Sequence, residues 1–542
     1  MSEDDPFEDD PLGPSEPIAP KKKPRRKDRP VMSVVGGSAR TLDDELAWCE
    51  TNDSGNADRL VARYPEALFH VPEKAARSLA WFVWDGVHWN SEVGNYMAET
   101  IARKVQLAME GEIRALEAKN KTEYGDWIAR LYKNKDAAGN IGKLRAMLEA
   151  AAPRLMRRLD DIDAHPDLLY TRSAVLRLPR YEADRVLPER EPGEDGDTLP
   201  AFEVIAHDPA HYVTKLSGAP YDSAAICPLW RRFVAQIFPN PSLRDFVQRA
   251  AGLSITGDMS EEVFFLCWGR GRNGKGTFLR TIAAALGGYA ATIPVELLLR
   301  EGNAKTGNES APQFAVLNGV RYAITTEPDD KAEFHQGTIR TLTGRDRFPI
   351  RANYGDPFYL DPQFKLWIAC NKKPVAADAS EAFWRRVRLI PFVANIAAKD
   401  TDPRLGARLM AELPGILNWL VEGARMWARD GLLPPEEVTG ANERYRDEMD
   451  PLNRFLIQCT VLKPGVDTAR ANLWWVYLGW CDAMGEKPLS GRGFGLALAD
   501  KGYIRKMNNG VWYRDVYILD EAFAAYKDKG EELETAMKGR RA

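Results

Sequence analysis

The stretch Gly269-Arg-Gly271-Arg272-Asn273-Gly274-Lys275-Gly276-Thr277 concentrates the residue types that grip an anion. Glycines let main-chain N–H groups turn inward around phosphate oxygens, and a neighbouring lysine supplies a cation for the outer phosphates. The apolar run Val263-Phe-Phe-Leu-Cys-Trp268 precedes the loop, and a helical pattern from Phe278 to Leu286 follows it. Strand, glycine loop, lysine and helix is the context that separates a phosphate-binding loop from an ordinary glycine turn. The helix start adds a favourable dipole. Gly269, Gly271, Arg272, Asn273, Gly274, Lys275, Gly276, Thr277 and Phe278 are the expected ATP-binding set, with Lys275 against the β- and γ-phosphates. Gly276 occupies the position after the lysine where a hydroxyl usually stands, so Thr277 is the expected Mg2+ ligand. Such a loop implies ATP and Mg2+ but not what the energy drives.

An acid at the end of a neighbouring strand completes a site of this kind. Val320 to Ile324 reads as an apolar strand, and Glu327 follows it, placed to hold the Mg2+ shell or to polarise an attacking water. Thr326 and Pro328 flank it, so Glu327 carries both duties or is simply a strand-end glutamate. Phe364 to Cys370 is a second apolar strand and ends in Asn371. A strand-end amide orients the lytic water or senses the γ-phosphate; it is also ordinary turn chemistry. In Phe383-Trp-Arg385-Arg386-Val-Arg-Leu-Ile-Pro391-Phe392, paired arginines precede an apolar strand. They read either as ion-pair partners or as a finger that stabilises transition-state charge across a subunit boundary.

These groups need a scaffold, and the chain supplies one. Helical patterns over Leu229 to Phe238 and Leu243 to Ala251 lead into the loop strand. Upstream, Leu79 to Trp89 reads as a hairpin around Asp85-Gly86, the dipeptide of a tight primed turn. Tyr96 to Leu159 is helical and charged, Asp160 to Tyr221 is short-stranded, and Glu189 to Thr198 is a surface loop. The first 40 residues, an acidic block and then Lys21-Lys-Lys-Pro-Arg-Arg-Lys27, are expected to be a disordered charged tail. Four segments are expected: the tail over 1–40, an α+β module over 41–222, an α/β ATPase domain over 223–445, and a DNA-binding domain over 446–542.

Composition bounds the rest. Of 542 residues, 44% are hydrophobic and 28% charged, which excludes collagen and disorder throughout. Net charge is −4, so any nucleic-acid binding must come from local patches. Six scattered cysteines without a C-x-x-C pair argue against a disulfide framework or a cysteine zinc site. No run reaches the ~18 apolar residues of a membrane span, so no membrane partner is expected.

Taken together, the loop, Glu327, Leu342-Thr-Gly344-x-Asp346, Arg351, Asn371, Pro374 and the Trp-Arg-Arg-Val-x-Leu-Ile-Pro-Phe run resemble the superfamily-3 helicases. The match is closer to the C-terminal helicase part of phage and plasmid primase–helicases, the group that includes the poxvirus primase–helicase. It covers Pro228 to Phe392. Flanking stretches extend it: Asn56-Ala-Asp-Arg-Leu, Trp84-Asp-Gly-x-His-Trp89, Tyr212-Val-Thr-Lys215, Gly415-Ile-Leu-Asn-Trp419 and Tyr445-Arg-x-x-x-Asp450. The resemblance implies an AAA+-like ATPase that forms a ring, expected to be a hexamer, around single-stranded DNA and moves 3′ to 5′. It implies catalytic roles for Lys275, Glu327 as the Walker B acid and Asn371 as sensor. It also implies a finger, Arg386 first and Arg385 second. Where family members often carry a lysine before Leu342, this chain has Arg340. The setting it implies is replication in a bacterial host cytoplasm, with other replisome proteins as partners.

Arg345 to Pro362 reads as two short strands around a turn, and the resembled family carries its pore hairpin there. Arg347, Arg351, Asn353 and Tyr354 mix positive charge with a ring that can stack on a base. Ordinary salt bridges on a surface hairpin are the plainer reading. Between Asp467 and Leu519 the pattern is helix, helix and hairpin, as in a winged helix, with Arg492, Arg505, Lys506 and Arg514 available to duplex phosphates; protein docking without DNA is the other reading. The aromatic helix Ala469 to Met484 reads as core. Asp160-Asp161-Ile-Asp163-Ala-His165 is the one string that tempts a primase metal site, and it sits in a polar turn. The expected function is an ATP-dependent DNA helicase. The alternatives are an origin-binding initiator governed by ATP, or a combined primase–helicase.

Overall fold

The structure is a computed structural model that describes residues 41–72, 80–181, 199–300, 312–325, 327–328, 332–351, 357–376, 380–396, 402–507 and 510–539. The charged tail, the loop over 189–198 and the hairpin turn with Asn353 and Tyr354 lie outside the described residues.

The chain opens with α1 (Leu42–Leu46) and α2 (Asp53–Arg63), then an antiparallel sheet of β1 (Leu68–Val71), β2 (Ala80–Trp84) and β3 (Trp89–Asn90). The expected hairpin forms with Trp84 opposite Trp89, but its loop is four residues, not a two-residue turn. The Asp85 carboxylate accepts from the N–H groups of Val87 and His88 at 2.9 and 2.8 Å, which closes a wider loop than Asp-Gly alone specifies.

A helical layer follows: α3 (Gly94–Asn120), α4 (Gly125–Ala138) and α5 (Ile141–Ala151). Against it, Arg59 of α2 is completely buried. Its Nε donates to Glu112 at 2.8 Å, and its other nitrogens reach the carbonyls of Glu50, Leu46 and Cys49 at 2.8, 3.2 and 3.2 Å. Asn134 donates to Asn56 at 2.8 Å. The Asn56-Ala-Asp-Arg-Leu segment is therefore a satisfied polar knot that fixes helices, not a surface feature.

Next come β4 (Leu168–Tyr170), β5 (Val175–Arg177) and β6 (Glu203–Ile205), an antiparallel sheet, and then α6 (Pro228–Ile237) and α7 (Pro241–Leu253). Their apolar side chains share one core with a face of the central sheet. The expected boundary at residue 222 thus falls inside a shared core. Arg321 reinforces the join: it is buried and donates to the carbonyls of His165, Leu168 and Ile255.

The central sheet has five parallel strands: β7 (Phe264–Trp268), β8 (Ala290–Ile293), β9 (Tyr322–Thr325), β12 (Lys365–Cys370) and β13 (Val387–Pro391). Their order is β13-β7-β12-β9-β8. Both faces are covered, which explains the unbroken apolar runs in β7 and β12. α8 (Lys275–Leu286) returns from β7, and α9 (Gln336–Thr343) leads into the antiparallel pair β10 (Phe348–Arg351) and β11 (Pro357–Leu360). α10 (Glu381–Trp384), α11 (Leu405–Met410), α12 (Leu413–Asp430) and α13 (Glu436–Met449) complete this part. In α12, Gly415 lies against the Ile226 carbonyl, where a Cβ would stand 2.3 Å from the oxygen, and Trp419 packs edge-on against Trp230. That motif is packing.

The C-terminal part runs α14 (Pro451–Cys459), β14 (Thr460–Leu462), β15 (Thr468–Ala469), α15 (Arg470–Met484), α16 (Gly491–Asp500), β16 (Arg505–Met507), β17 (Val511–Tyr513), β18 (Val516–Ile518) and α17 (Asp520–Gly539). Helix, helix and hairpin appear in the expected order, and Trp474, Tyr477 and Trp480 of α15 are buried core. α17 is an addition to that pattern. It lies so close to α15 that a Cβ on Gly530 would stand 1.7 Å from the Trp475 carbonyl oxygen. Among the described residues, no helix is long and apolar enough to cross a membrane.

Candidate functional site

Parallel register decides which residues meet. Cys370 pairs with Trp268, and Trp367 with Ile324, so β7, β12 and β9 end at one edge of the sheet. The loop after β7, Asn371 after β12 and Glu327 after β9 leave from that edge, where ligands of open parallel sheets bind.

The loop has a defined shape. A Cβ on Gly269 would stand 2.3 Å from Asn273 Nδ2 and 2.4 Å from the Phe392 carbonyl oxygen, so only glycine fits. Buried Asn273 donates to that carbonyl at 3.1 Å and accepts from the Lys275 N–H at 3.3 Å. Gly274 has φ +80° against Phe233 and Ile237, and Arg272 has φ +59°. The Ile396 N–H donates to the Arg272 carbonyl at 3.2 Å, which ties the loop to the segment after β13. α8 begins at Lys275, leaving first-turn N–H groups without helical partners and ready for an anion.

Lys275 is 4% exposed. Its Nζ donates to the Cys370 carbonyl at 2.8 Å and to Asn371 Oδ1 at 2.9 Å, with the Gly269 carbonyl at 3.4 Å. Asn371 Nδ2 donates to Glu327 Oε2 at 2.6 Å, and the other Glu327 oxygen lies 3.6 Å from the ammonium. Lysine, amide and carboxylate, the three expected catalytic groups of this edge, form one connected cluster. Glu327 keeps half its surface open. A hard cation takes oxygen ligands. Glu327 and the half-buried Thr277 hydroxyl supply such oxygens. The donor set fits Mg2+ beside a phosphate.

Other expected residues fall differently. Phe278 is fully buried, stacked on Trp230 at 5.4 Å, and its N–H donates to the Gly274 carbonyl, so it packs core instead of contacting ATP. Arg386 is held by Glu262 at 2.6 Å and by the Ala382 carbonyl at 2.9 Å. Arg385 is exposed, and its guanidinium has no partner among the described residues. Arg347 pairs with Asp361 at 3.1 Å and lies 3.7 Å from Asp160. Arg351 ends β10. Arg505 and Arg514 are exposed on the C-terminal hairpin, whereas Lys506 pairs with Asp467 at 2.7 Å. Asp163 sits in no open polar turn: it is buried, its pKa is pushed up by desolvation, and its oxygens accept from the Thr214 N–H and hydroxyl at 2.7 and 2.6 Å. Sequence reasoning passed over Lys373, whose only signal was its place two residues after Asn371.

Comparison with known proteins covers most of the chain in pieces. A family described as D5 N terminal like matches residues 57–239, the family of unknown function DUF5906 matches 267–386, and a family described as Poxvirus D5 protein-like matches 447–528. The chain is 27% identical to "Putative helicase L207/L206" of Acanthamoeba polyphaga mimivirus over 41% of its own length and 25% of that protein. It is 29% identical to "Putative helicase 022R" of Frog virus 3 (isolate Goorha) over the same shares. The chain thus spans about a quarter of the length of these curated relatives. The A form apo structure of the NrS-1 C-terminal region overlays with TM-score 0.36 and 10% identity, over 55% of this chain and 77% of that one.

Proposed function

We propose that the chain belongs to the D5-like primase–helicase family, whose models match it in pieces, and that it is an ATP-dependent DNA helicase acting in replication. The observation that carries the reading is the Lys275–Asn371–Glu327 cluster at the open edge of the parallel sheet. Lys275 would exchange the Cys370 carbonyl and Asn371 for β- and γ-phosphate oxygens, a stronger charge-assisted contact. N–H groups of the loop and of the first turn of α8 would hold the remaining oxygens. Glu327 would orient the attacking water and take its proton, and Asn371 holds that carboxylate in place. Mg2+ held by Thr277 and Glu327 would neutralise charge on the phosphates.

A neighbouring copy would complete the site. Arg386 is committed to Glu262, so exposed Arg385 becomes the preferred finger. Ring assembly, with a hexamer as the expected size, would bring the β10–β11 hairpins and Arg347 and Arg351 around single-stranded DNA. Movement 3′ to 5′, a winged-helix role for the C-terminal part with Arg505, Lys506 and Arg514 on phosphates, and a phage or plasmid setting in a bacterial cytoplasm belong to the same proposal. Primer synthesis finds no support in Asp163, whose oxygens are already used.

Strand displacement tests the reading. The full chain should unwind a forked duplex with ATP and Mg2+, and its turnover should rise with single-stranded DNA. Protection of duplex without displacement would favour an initiator. Mixing Arg385→Ala with Lys275→Ala subunits should restore some turnover, because each supplies what the other lacks; no recovery at any ratio would refute a finger in trans.

A further inference from the structure

Two residues beyond Asn371, Lys373 is 11% exposed, and its Nζ donates to both oxygens of Glu448 at 2.8 and 2.6 Å. The same ammonium stands 4.7 Å from the ring of Trp268 and 5.6 Å from that of Tyr445. A cation between aromatic faces and a carboxylate is held from several directions, and partial loss of water strengthens each contact.

The partners matter because of where they lie. Trp268 is the last residue of β7, directly before Gly269 of the loop. Tyr445 and Glu448 belong to α13. Two more bonds fasten α13 to the same segment: Tyr445 Oη donates to the Pro374 carbonyl at 2.5 Å, and the Ala376 N–H to the Met449 sulfur at 3.5 Å. Asn442 grips β13, donating to the Val387 carbonyl at 3.0 Å and accepting from the Leu389 N–H at 2.8 Å. Asp450, just past α13, caps α14 through the Asn453 N–H at 3.0 Å and pairs with Lys501 at the end of α16 at 2.6 Å. One helix therefore touches the segment after Asn371, the strand that follows Arg385 and Arg386, and the C-terminal helices.

We propose that Lys373 is a positioning residue that transmits the state of the nucleotide cluster through Glu448 and α13 to the C-terminal part. This rests on reading Lys275 and Asn371 as nucleotide ligands. Lys275 now tethers the Cys370 carbonyl and Asn371 Oδ1. A phosphate competes for that ammonium, so binding removes one bond from each of two residues at the start of the segment that ends in Lys373, leaving Cys370 on the Gly269 N–H and Asn371 on Glu327. The Lys373 grip on α13 converts the release into a shift at the α13–α14 junction.

The test is hydrogen exchange in the full chain over residues 440–462, with and without a non-hydrolysable ATP analogue and Mg2+. In the wild type, analogue binding should change exchange there by at least about fivefold. Lys373→Met keeps the volume, and Glu448→Gln lies at a half-exposed position where substitution costs little stability. Both should cut the change below about twofold, with analogue affinity within about threefold of wild type. Lys373→Arg should preserve the response. A wild-type response in Glu448→Gln or Lys373→Met, or a wild type that binds the analogue with no change over 440–462, overturns the proposal. A wild type that binds no analogue overturns the nucleotide reading, and the proposal with it.

Discussion

Among the described residues, a fully enclosed cation meets a carboxylate in two places, and the two pairs are built for different ends. Arg59 and Glu112 are both fully buried, and three main-chain carbonyls take three of the other four guanidinium protons. Lys275 is equally enclosed, but its carboxylate partner Glu327 is half exposed and the contact is 3.6 Å. The first pair is closed from every side, so it can only hold helices together. The second has an open side, and its lysine is held by groups that a phosphate can displace. Degree of closure, not the presence of an ion pair, separates a structural knot from a reactive cluster.

The largest effect should come from breaking the closed pair. Arg59→Met leaves Glu112 with Arg63 alone, at 3.0 Å, and should cost about 3 kcal/mol or more in a denaturant melt. A loss under about 1 kcal/mol would erase the contrast, because that is what exposed pairs give. Lys275→Ala should do the reverse: melting nearly unchanged, with turnover down by about 10²–10³-fold. Asn371→Ala removes hydrogen bonds to two charged groups, Lys275 and Glu327; the one to Glu327, which stays when phosphate takes the lysine, is worth about 1.5–3 kcal/mol, so kcat should fall about 10–100-fold. Unchanged kcat would reduce Asn371 to turn chemistry.

A third buried cation sharpens the rule. Among the described residues Lys365 has no carboxylate in contact; its Nζ donates to the Thr256 carbonyl at 3.0 Å, and desolvation lowers its pKa from 10.5 to about 7. Between those values the unfolded chain holds a proton that the folded chain does not. Stability should therefore rise with pH over that window, by at most about 1.4 kcal/mol per pH unit. Lys365→Met should abolish the rise. A slope that persists in the variant would assign it to other groups.

Much of the central edge was legible because its signals are local. Glycine spacing, the lysine and apolar strands of known length place Lys275, Glu327 and Asn371 without tertiary knowledge, since parallel strands deliver their ends together. What local pattern leaves out depends on distant partners. Arg386 reads as a finger until Glu262 is seen beside it, 124 positions away. Asp163 reads as a polar-turn acid until Thr214 closes over it from 51 positions away. Phe278 follows the loop in sequence, but helical geometry turns it inward onto Trp230. The shared core across residue 222 and the packing of α17 on α15 rest on contacts that no local pattern encodes.

The central claim is most directly tested by a structure of the full chain with a non-hydrolysable ATP analogue and Mg2+. The phosphates should lie over Gly269 to Thr277, with the Lys275 ammonium moved off the Cys370 carbonyl onto phosphate oxygens and Glu327 facing the terminal phosphate. An analogue bound elsewhere, or a Lys275 that keeps its present partners while nucleotide is bound, would contradict the account.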